Sequence, residues 1–202
     1  MNQDARPIAQ ASLHVDWQQY HRLIEQLAVI IHESGFQFDF LLCLARGGLR
    51  IGDVLSRVFE VPLAILATSS YRDAGGTVAG TLDIAQFITS TAGDPSGRLL
   101  LVDDLVDSGN TLQQVREHVQ RRFSAVREIR TAVLWYKEAS LIAPDFFVQR
   151  LADNPWIYQP FEQYDRMRPG QLAEQLRKVG SVAEGDGAQE RTRTSTPFGT
   201  RT

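Results

Sequence analysis

The sequence predicts an α/β fold with a doubly wound, mainly parallel sheet and helices on both of its faces. Three observations predict it. Short apolar runs of strand length alternate with amphipathic segments of helical period from about residue 16 to residue 137. Two of those runs, ending at Ala45 and Val102, lead through loops of glycine and small polar residues into a helix. Ligands of such sheets bind beyond the carboxyl ends of the strands, and both loops fall on that edge.

Between Asp16 and Ser34 the apolar residues Trp17, Tyr20, Ile24, Leu27, Ala28 and Ile31 recur at helical spacing, with Asp16 as N-cap, Gln19 three residues on and Gly35 as the stop. Asp39 to Ala45 suits a buried strand, Arg46-Gly47-Gly48 breaks it, and a helix follows from Leu49 to Phe59. Pro62 to Ser69 reads as the next strand, leading to Ser70-Tyr71 and then to RDAGGTVAGTL, residues 72–82, too polar and glycine-rich to pack. Ile84 to Ser90 reads as a return strand and Ala92 to Gly97 as a turn.

Leu99 to Val102 is again of buried-strand length, and Thr111 to Arg122 is a helix with Leu112, Val115 and Val119 on one face. Ile129 to Lys137 is a β-branched and aromatic strand that finishes in a charge. Asp145 to Leu151 and Trp156 to Pro160 read as two short strands of a small subdomain over residues 145–168, and Pro169 to Val179 as a terminal helix. One domain over residues 12–180 is expected. Residues 181–202, with few apolar side chains, are expected to form a disordered tail.

A net charge of -3 gives no electrostatic footprint for nucleic acid, and no apolar run approaches the roughly 18 residues that cross a membrane. The opening residues lack a basic stretch followed by an apolar one, so a cytoplasmic protein is expected, without nucleic-acid or membrane partners. Cys43 is the single cysteine, which leaves neither an internal disulfide nor a thiolate zinc site, and it reads as a buried, inert thiol. The four histidines do not cluster with acidic groups; His21, His32 and His118 read as helix-surface residues.

The chemistry concentrates in RLLLVDDLVDSGNTL, residues 98–112. Three carboxylates, Asp103, Asp104 and Asp107, follow the strand, and Ser108, Gly109, Asn110 and Thr111 then lead into the helix. Backbone N–H groups at a helix start have no intrahelical partner and sit at the positive end of the dipole, so this loop is suited to a phosphate. Two adjacent carboxylates accept hydrogen bonds from neighbouring hydroxyls, and one of them can hold a hydrated magnesium ion. Vicinal hydroxyls beside a phosphate describe a ribose 5-phosphate. No G-x-x-x-x-G-K-[ST] loop occurs, and the carboxylate spacing does not suit an EF-hand.

VDDLVDSGNT resembles the phosphoribosyl diphosphate (PRPP) motif of type I phosphoribosyltransferases, and ARGG at residues 45–48 resembles the pyrophosphate loop of their 6-oxopurine members. The resemblance runs from about Phe38 to Asp165 and is nearest to the bacterial xanthine-guanine branch. It implies the type I phosphoribosyltransferase fold with a small hood over the base, and transfer of the 5-phosphoribosyl group from PRPP to N9 of guanine, xanthine or hypoxanthine in purine salvage. Arg46 and Gly47 would meet the diphosphate, with a cis peptide near Ala45-Arg46. Asp103 and Asp104 would hold the ribose hydroxyls, with Asp104 the ligand of Mg2+. Asp107 would be the catalytic proton acceptor at the purine N7, and Ser108, Gly109, Asn110 and Thr111 would hold the 5-phosphate.

In the base pocket Lys137 would donate to the 6-oxo group, Trp156 would stack on the ring and the Ile157 carbonyl would face the 2-position. Residues 72–82 would form a mobile lid, and a homodimer or homotetramer is the family's habit. Three departures stand out. Ser108 replaces the usual threonine, Asn110 replaces a residue often glycine or lysine, and Arg72 is the lone basic residue of the lid segment. Two other readings use the same motif: a PRPP-binding regulator without turnover, which tends to show a basic face, and a transferase for another base. An adenine pocket suits Lys137 poorly, because a cationic donor opposes an amino group.

Overall fold

The computed structural model describes residues 12–70, 82–90 and 92–178. Tyr71, most of the expected lid and the expected tail lie outside them. The described elements fall into two compact units, residues up to Tyr158 and residues from Gln159 onward.

In the first unit the chain runs β1 (Ser12–His14), α1 (Trp17–Glu33), β2 (Phe40–Ala45), α2 (Leu49–Phe59), β3 (Leu63–Ser70), β4 (Leu82–Ile84) and β5 (Thr89–Ser90). It continues with β6 (Gly97–Val102), β7 (Leu105–Val106), α3 (Asn110–Arg122), β8 (Val126–Lys137), β9 (Phe146–Leu151) and β10 (Trp156–Tyr158). Strands β3, β2, β6, β8 and β9 lie side by side and parallel, while β4 and β5 add to β3 antiparallel. β7 keeps the offset of β6 against β8, Val102 opposite Ala132 and Leu105 opposite Trp135, so it prolongs β6 along the same edge.

The connections leave β2 and β6 in opposite directions. β2 leads through α2 to β3 on one side, and β6 leads through α3 to β8 on the other. The gap between β2 and β6 is therefore the topological switch point, where doubly wound sheets hold their ligands.

Alternation along β2 decides which helix covers which face. Phe40, Leu42 and Leu44 pack with Leu99, Leu101 and Val133 against Leu112, Val115 and Val119 of α3. Cys43 and Leu41 point the other way and meet α2 at Gly52, where a Cβ would stand 1.8 Å from Cys43 Sγ and 3.1 Å from Leu41 Cδ2. Helix α1 is fixed by the capping box anticipated at its start: Gln19 N donates to Asp16 Oδ1 at 2.7 Å and Asp16 N donates to Gln19 Oε1 at 3.0 Å. Its apolar stripe, Tyr20, Leu23, Ile24, Leu27, Ala28 and Ile31, is buried. Cys43 is fully buried, and burial pushes its thiol up to about 12, as suits an inert side chain.

Two expectations change. Residues 146–151 do not belong to a small subdomain; they are β9, the outer parallel strand of the main sheet, paired along β8. The reason is a side-chain clip and an aromatic contact. Asp145 Oδ2 accepts from both the N–H and the hydroxyl of Thr131 at 2.8 Å, Asp145 N donates to Thr131 Oγ1 at 2.9 Å, and Phe146 packs its ring 6.0 Å from Phe36. The small separate sheet is instead β10 paired in parallel with β1, in which His14 stacks on Tyr158 at 4.5 Å. His118 is not a plain surface residue either. Its Nε2 is buried without a hydrogen-bond partner among the described residues, and burial first, then Arg122 and Arg121, lower its pKa.

The second unit holds α4 (Gln163–Arg166) and a helix over residues 169–178, entered with Arg168 N donating to Gln171 Oε1 at 2.8 Å.

The Gly52–Cys43 contact is a steric lock between α2 and the sheet. Gly52→Ala gains about 1 kcal/mol of helix propensity but overpacks the core by about 1–3 kcal/mol. A net fall in melting temperature is expected, with most of it recovered in the Gly52→Ala/Cys43→Ala double variant, where the new methyl occupies the space of the sulfur. Calorimetric melting of the wild type and the two variants checks this, and a double variant no better than the single one would locate the strain elsewhere.

Candidate active site

β2 ends at Ala45, and the peptide joining Ala45 to Arg46 is cis, at the place the ARGG motif suggests. The following turn brings Gly47 directly onto the aspartates at the end of β6. A Cβ on Gly47 would lie 2.5 Å from Asp104 Oδ1 and 2.7 Å from Asp103 Oδ1, and one on Gly48 would lie 2.3 Å from the Val102 carbonyl oxygen. Both glycines are required because backbone packs on backbone and carboxylate with no room for a side chain. Arg46 is exposed beside them.

Asp103 and Asp104 occupy the break between β6 and β7. The backbone is not left open there, since Asp103 N donates to the Ala132 carbonyl at 3.2 Å and the Asp104 carbonyl accepts from Leu134 N and Trp135 N at 3.1 and 3.2 Å. β8 thus carries the chain past the break while both side chains turn toward the Arg46-Gly47 loop. Asp104 N donates to Asp103 Oδ1 at 2.9 Å. Burial first, and then the negative charge of Asp104, hold Asp103 well above the usual carboxylate range, partly offset by backbone N–H donors of Asp104 and Gly48.

The small-residue loop follows β7. Gly109, at φ +85, occupies the N-cap position of α3, and no side chain among the described residues caps the helix start. Asn110 N donates to Ser108 Oγ at 3.4 Å, and Thr111 is half-buried within the first turn. Ser140 and Ile142, which sequence reasoning missed, brace this loop. Leu141 N donates to the Ser108 carbonyl at 3.0 Å, and a Cβ on Gly109 would stand 2.6 Å from Ser140 Oγ and 3.1 Å from Ile142 N. No motif marks residues 140–142; a serine-containing turn after a strand-end lysine is the lone signal.

Lys137, at the end of β8, is buried, its side chain 8% exposed, and its Nζ stands 3.2 Å from Asp107 Oδ1, whose side chain is 62% exposed. The structure therefore joins the two residues that the resemblance assigned separately to the 6-oxo group and to N7. Trp156 and Ile157 lie on β10. Trp156 is 48% exposed, its indole tilted against the Tyr158 ring at 6.4 Å, and Ile157 is buried opposite Leu13 of β1.

Among the described residues no group of three or more His, Cys, Asp or Glu side chains gathers as a metal cage. The hard oxygen donors at the switch point are Asp103 and Asp104. One or two carboxylates of this kind fit a magnesium ion that keeps its waters and completes its shell from a phosphorylated substrate.

A family model described as a phosphoribosyl transferase domain matches residues 15–166. A xanthine-guanine phosphoribosyltransferase of Idiomarina loihiensis is 28% identical over 151 residues, which are 74% of this chain and 86% of that protein. The crystal structure of a purine phosphoribosyltransferase from Pyrococcus horikoshii is similar with a TM-score of 0.61 at 30% identity, over 74% of this chain and 93% of the other. A xanthine-guanine-hypoxanthine phosphoribosyltransferase from Helicobacter pylori, 20% identical, shares the fold with a TM-score of 0.58 over 77% of this chain and 95% of its own.

The raised Asp103 has a measurable consequence. Below about pH 4 the carboxyl is neutral in the folded and unfolded chains alike; as the pH rises from there the unfolded carboxyl ionises first, and folding loses stability until the folded carboxyl follows. Asp103→Asn keeps the shape and an acceptor oxygen but removes the charge. In EDTA its melting temperature should exceed that of the wild type at neutral pH, and the gap should close as the pH falls toward about 4. A gap that does not vary with pH would separate the effect from ionisation.

Proposed function

The chain belongs to the phosphoribosyl transferase domain family, and from that premise we propose that it is a 6-oxopurine phosphoribosyltransferase of purine salvage. It moves the 5-phosphoribosyl group of PRPP to N9 of guanine, xanthine or hypoxanthine and releases pyrophosphate. The observation that carries the base assignment is the Lys137–Asp107 pair, 3.2 Å apart at the strand ends. The O6/N7 edge of an oxopurine offers an acceptor and, in the N7–H tautomer, a donor, and this pair answers with an ammonium donor and a carboxylate acceptor. The exposed indole of Trp156 supplies a surface for the ring, worth roughly 1–3 kcal/mol by analogy with other base stacking.

The phosphoribosyl half of the site is supported by the loops. The amides of Ser108 to Thr111 at the uncapped start of α3 receive the 5-phosphate. Asp103 and Asp104 accept from the ribose hydroxyls, and Asp104 with its neighbour would hold Mg2+, which when bound neutralises charge on the diphosphate. Arg46 and the Gly47 amide face the leaving pyrophosphate. In the transfer the C1–O bond to pyrophosphate breaks, the C1–N9 bond forms, and the base loses its proton to the Asp107 carboxylate. Positive charge develops at C1 between these events, and the negative potential of Asp103 and Asp104 beneath the ribose suits it.

Purified protein with PRPP, magnesium and single bases should release pyrophosphate with guanine, xanthine or hypoxanthine and far less with adenine. No release with any oxopurine would overturn the reading. Asp107→Asn should lower turnover by roughly 10²–10⁴ while PRPP still binds, and near-wild-type turnover would mean that the proton leaves by another route. Lys137→Ala should weaken all three oxopurines and erode discrimination against adenine, since a charged hydrogen bond contributes about 1.5–3 kcal/mol. Trp156→Ala should instead weaken every base without changing their order. An unchanged oxopurine preference in Lys137→Ala would remove the base assignment and leave the phosphoribosyl half standing.

A further inference from the structure

The segment between β8 and β9, residues 138–145, is pinned at both ends. Glu138 N donates to the Leu151 carbonyl at 2.9 Å and the Glu138 carboxylate accepts from Arg150 Nη2 at 2.6 Å, while at the other end Asp145 clips Thr131. Between the pins the chain folds into a tight turn. Ser140 N donates to the Lys137 carbonyl at 2.9 Å, and the Ser140 hydroxyl donates to the Ile142 carbonyl at 3.0 Å and accepts from Ile142 N at 3.4 Å. One hydroxyl therefore closes the turn on itself.

The apex of the turn is Leu141, whose side chain is 79% exposed. Burial of that side chain does not hold the turn in place; its backbone does, because Leu141 N donates to the Ser108 carbonyl at 3.0 Å. Beside it, Ser140 Oγ and Ile142 N lie 2.6 and 3.1 Å from where a Cβ of Gly109 would stand, so the turn rests directly on that glycine. Gly109 is buried, whereas Ser108 and Asn110 on either side of it are exposed.

Strand end and turn thus grip three consecutive residues. Lys137 Nζ meets Asp107 Oδ1 at 3.2 Å, Leu141 N meets the Ser108 carbonyl, and Ser140 meets Gly109. A loop of glycine and small polar residues would otherwise sample many backbone conformations, with its N–H groups rarely converging on one point. Fixing it before a ligand arrives removes that ordering cost from binding.

We propose that Ser140 is a positioning residue for the Ser108–Thr111 loop: its hydroxyl shapes the turn that holds Ser108 and Gly109 where their amides receive a phosphate monoester. This rests on the transferase reading, in which that phosphate is the 5-phosphate of PRPP. The consequence is a defect confined to one end of the substrate, because the Arg46-Gly47 loop proposed for the diphosphate packs on the aspartates after β6 instead.

The test is calorimetric titration of the wild type, Ser140→Ala and Ser140→Gly with PRPP and, separately, with inorganic pyrophosphate, each in magnesium and with melting temperatures alongside. Ser140→Ala deletes the hydroxyl and should weaken PRPP about fivefold, as the loss of one hydrogen bond does. Ser140→Gly also loosens the backbone and should weaken it further. Pyrophosphate should bind both variants as it binds the wild type, and the melting temperature of Ser140→Ala should stay near that of the wild type.

An equal loss of PRPP and pyrophosphate affinity would overturn the inference, because it would mark a general loosening of the fold. A wild type that binds no PRPP would sink the transferase reading and this inference together, whereas tight PRPP binding that neither substitution changes would sink the inference alone.

Discussion

The site depends on the close approach of one glycine to two carboxylates. Gly47 rides on Asp103 and Asp104 so tightly that a methyl group would stand 2.5 Å from an Asp104 oxygen, and the site is built outward from this approach. It requires β2 and β6 to be neighbours, in the register that sets Cys43 beside Val102. It also requires the two crossovers to leave in opposite directions, since otherwise α2 or α3 would cover the gap. The large apolar faces behind the sheet, Leu42 and Leu101 toward α3 and Leu41 and Cys43 toward α2, hold the two strand ends at that distance.

Placing two carboxylates side by side beneath a loop is unfavourable, and the raised Asp103 records it. The fold tolerates the cost because the surrounding backbone is satisfied by β8, whose amides and carbonyl hold the Asp103-Asp104 step from the opposite side to the loop. Electrostatic strain of this kind is characteristic of sites that wait for a cation and for hydroxyl donors. The same physics explains Lys137: a buried ammonium is offset by a carboxylate, here Asp107 3.2 Å away.

β8 is the element that joins these features. It carries Thr131, which clips β9 through Asp145; Leu134 and Trp135, which support the aspartate step; and Lys137, which reaches Asp107. The turn that follows it places Ser140 and Ile142 against Gly109 and so shapes the Ser108–Thr111 loop from outside. A single strand thereby aligns the Lys137–Asp107 pair with the loop that opens α3.

What the sequence determined by itself is local. The capping box of Asp16 and Gln19, helix α2 from Leu49 to Phe59, the strand–loop–helix runs at ARGG and VDDLVDSGNT and the buried Cys43 are all as their neighbouring residues imply, because caps, periods and turn chemistry act within a few residues. What only the tertiary structure decided is which distant segments meet. Residues 146–151 have the length and composition of any short strand, and their place beside β8 follows from Asp145 finding Thr131 fourteen positions away. The pairing of residues 12–14 with β10 is set across more than 140 positions and has no mark in either segment. Lys137 against Asp107 and Ser140 against Gly109 are likewise made by side chains that the sheet brings together. A strand records which face is apolar, but its partner is chosen by the sum of burial and hydrogen bonding over the whole chain, and the finest contacts of the site are inherited from that choice.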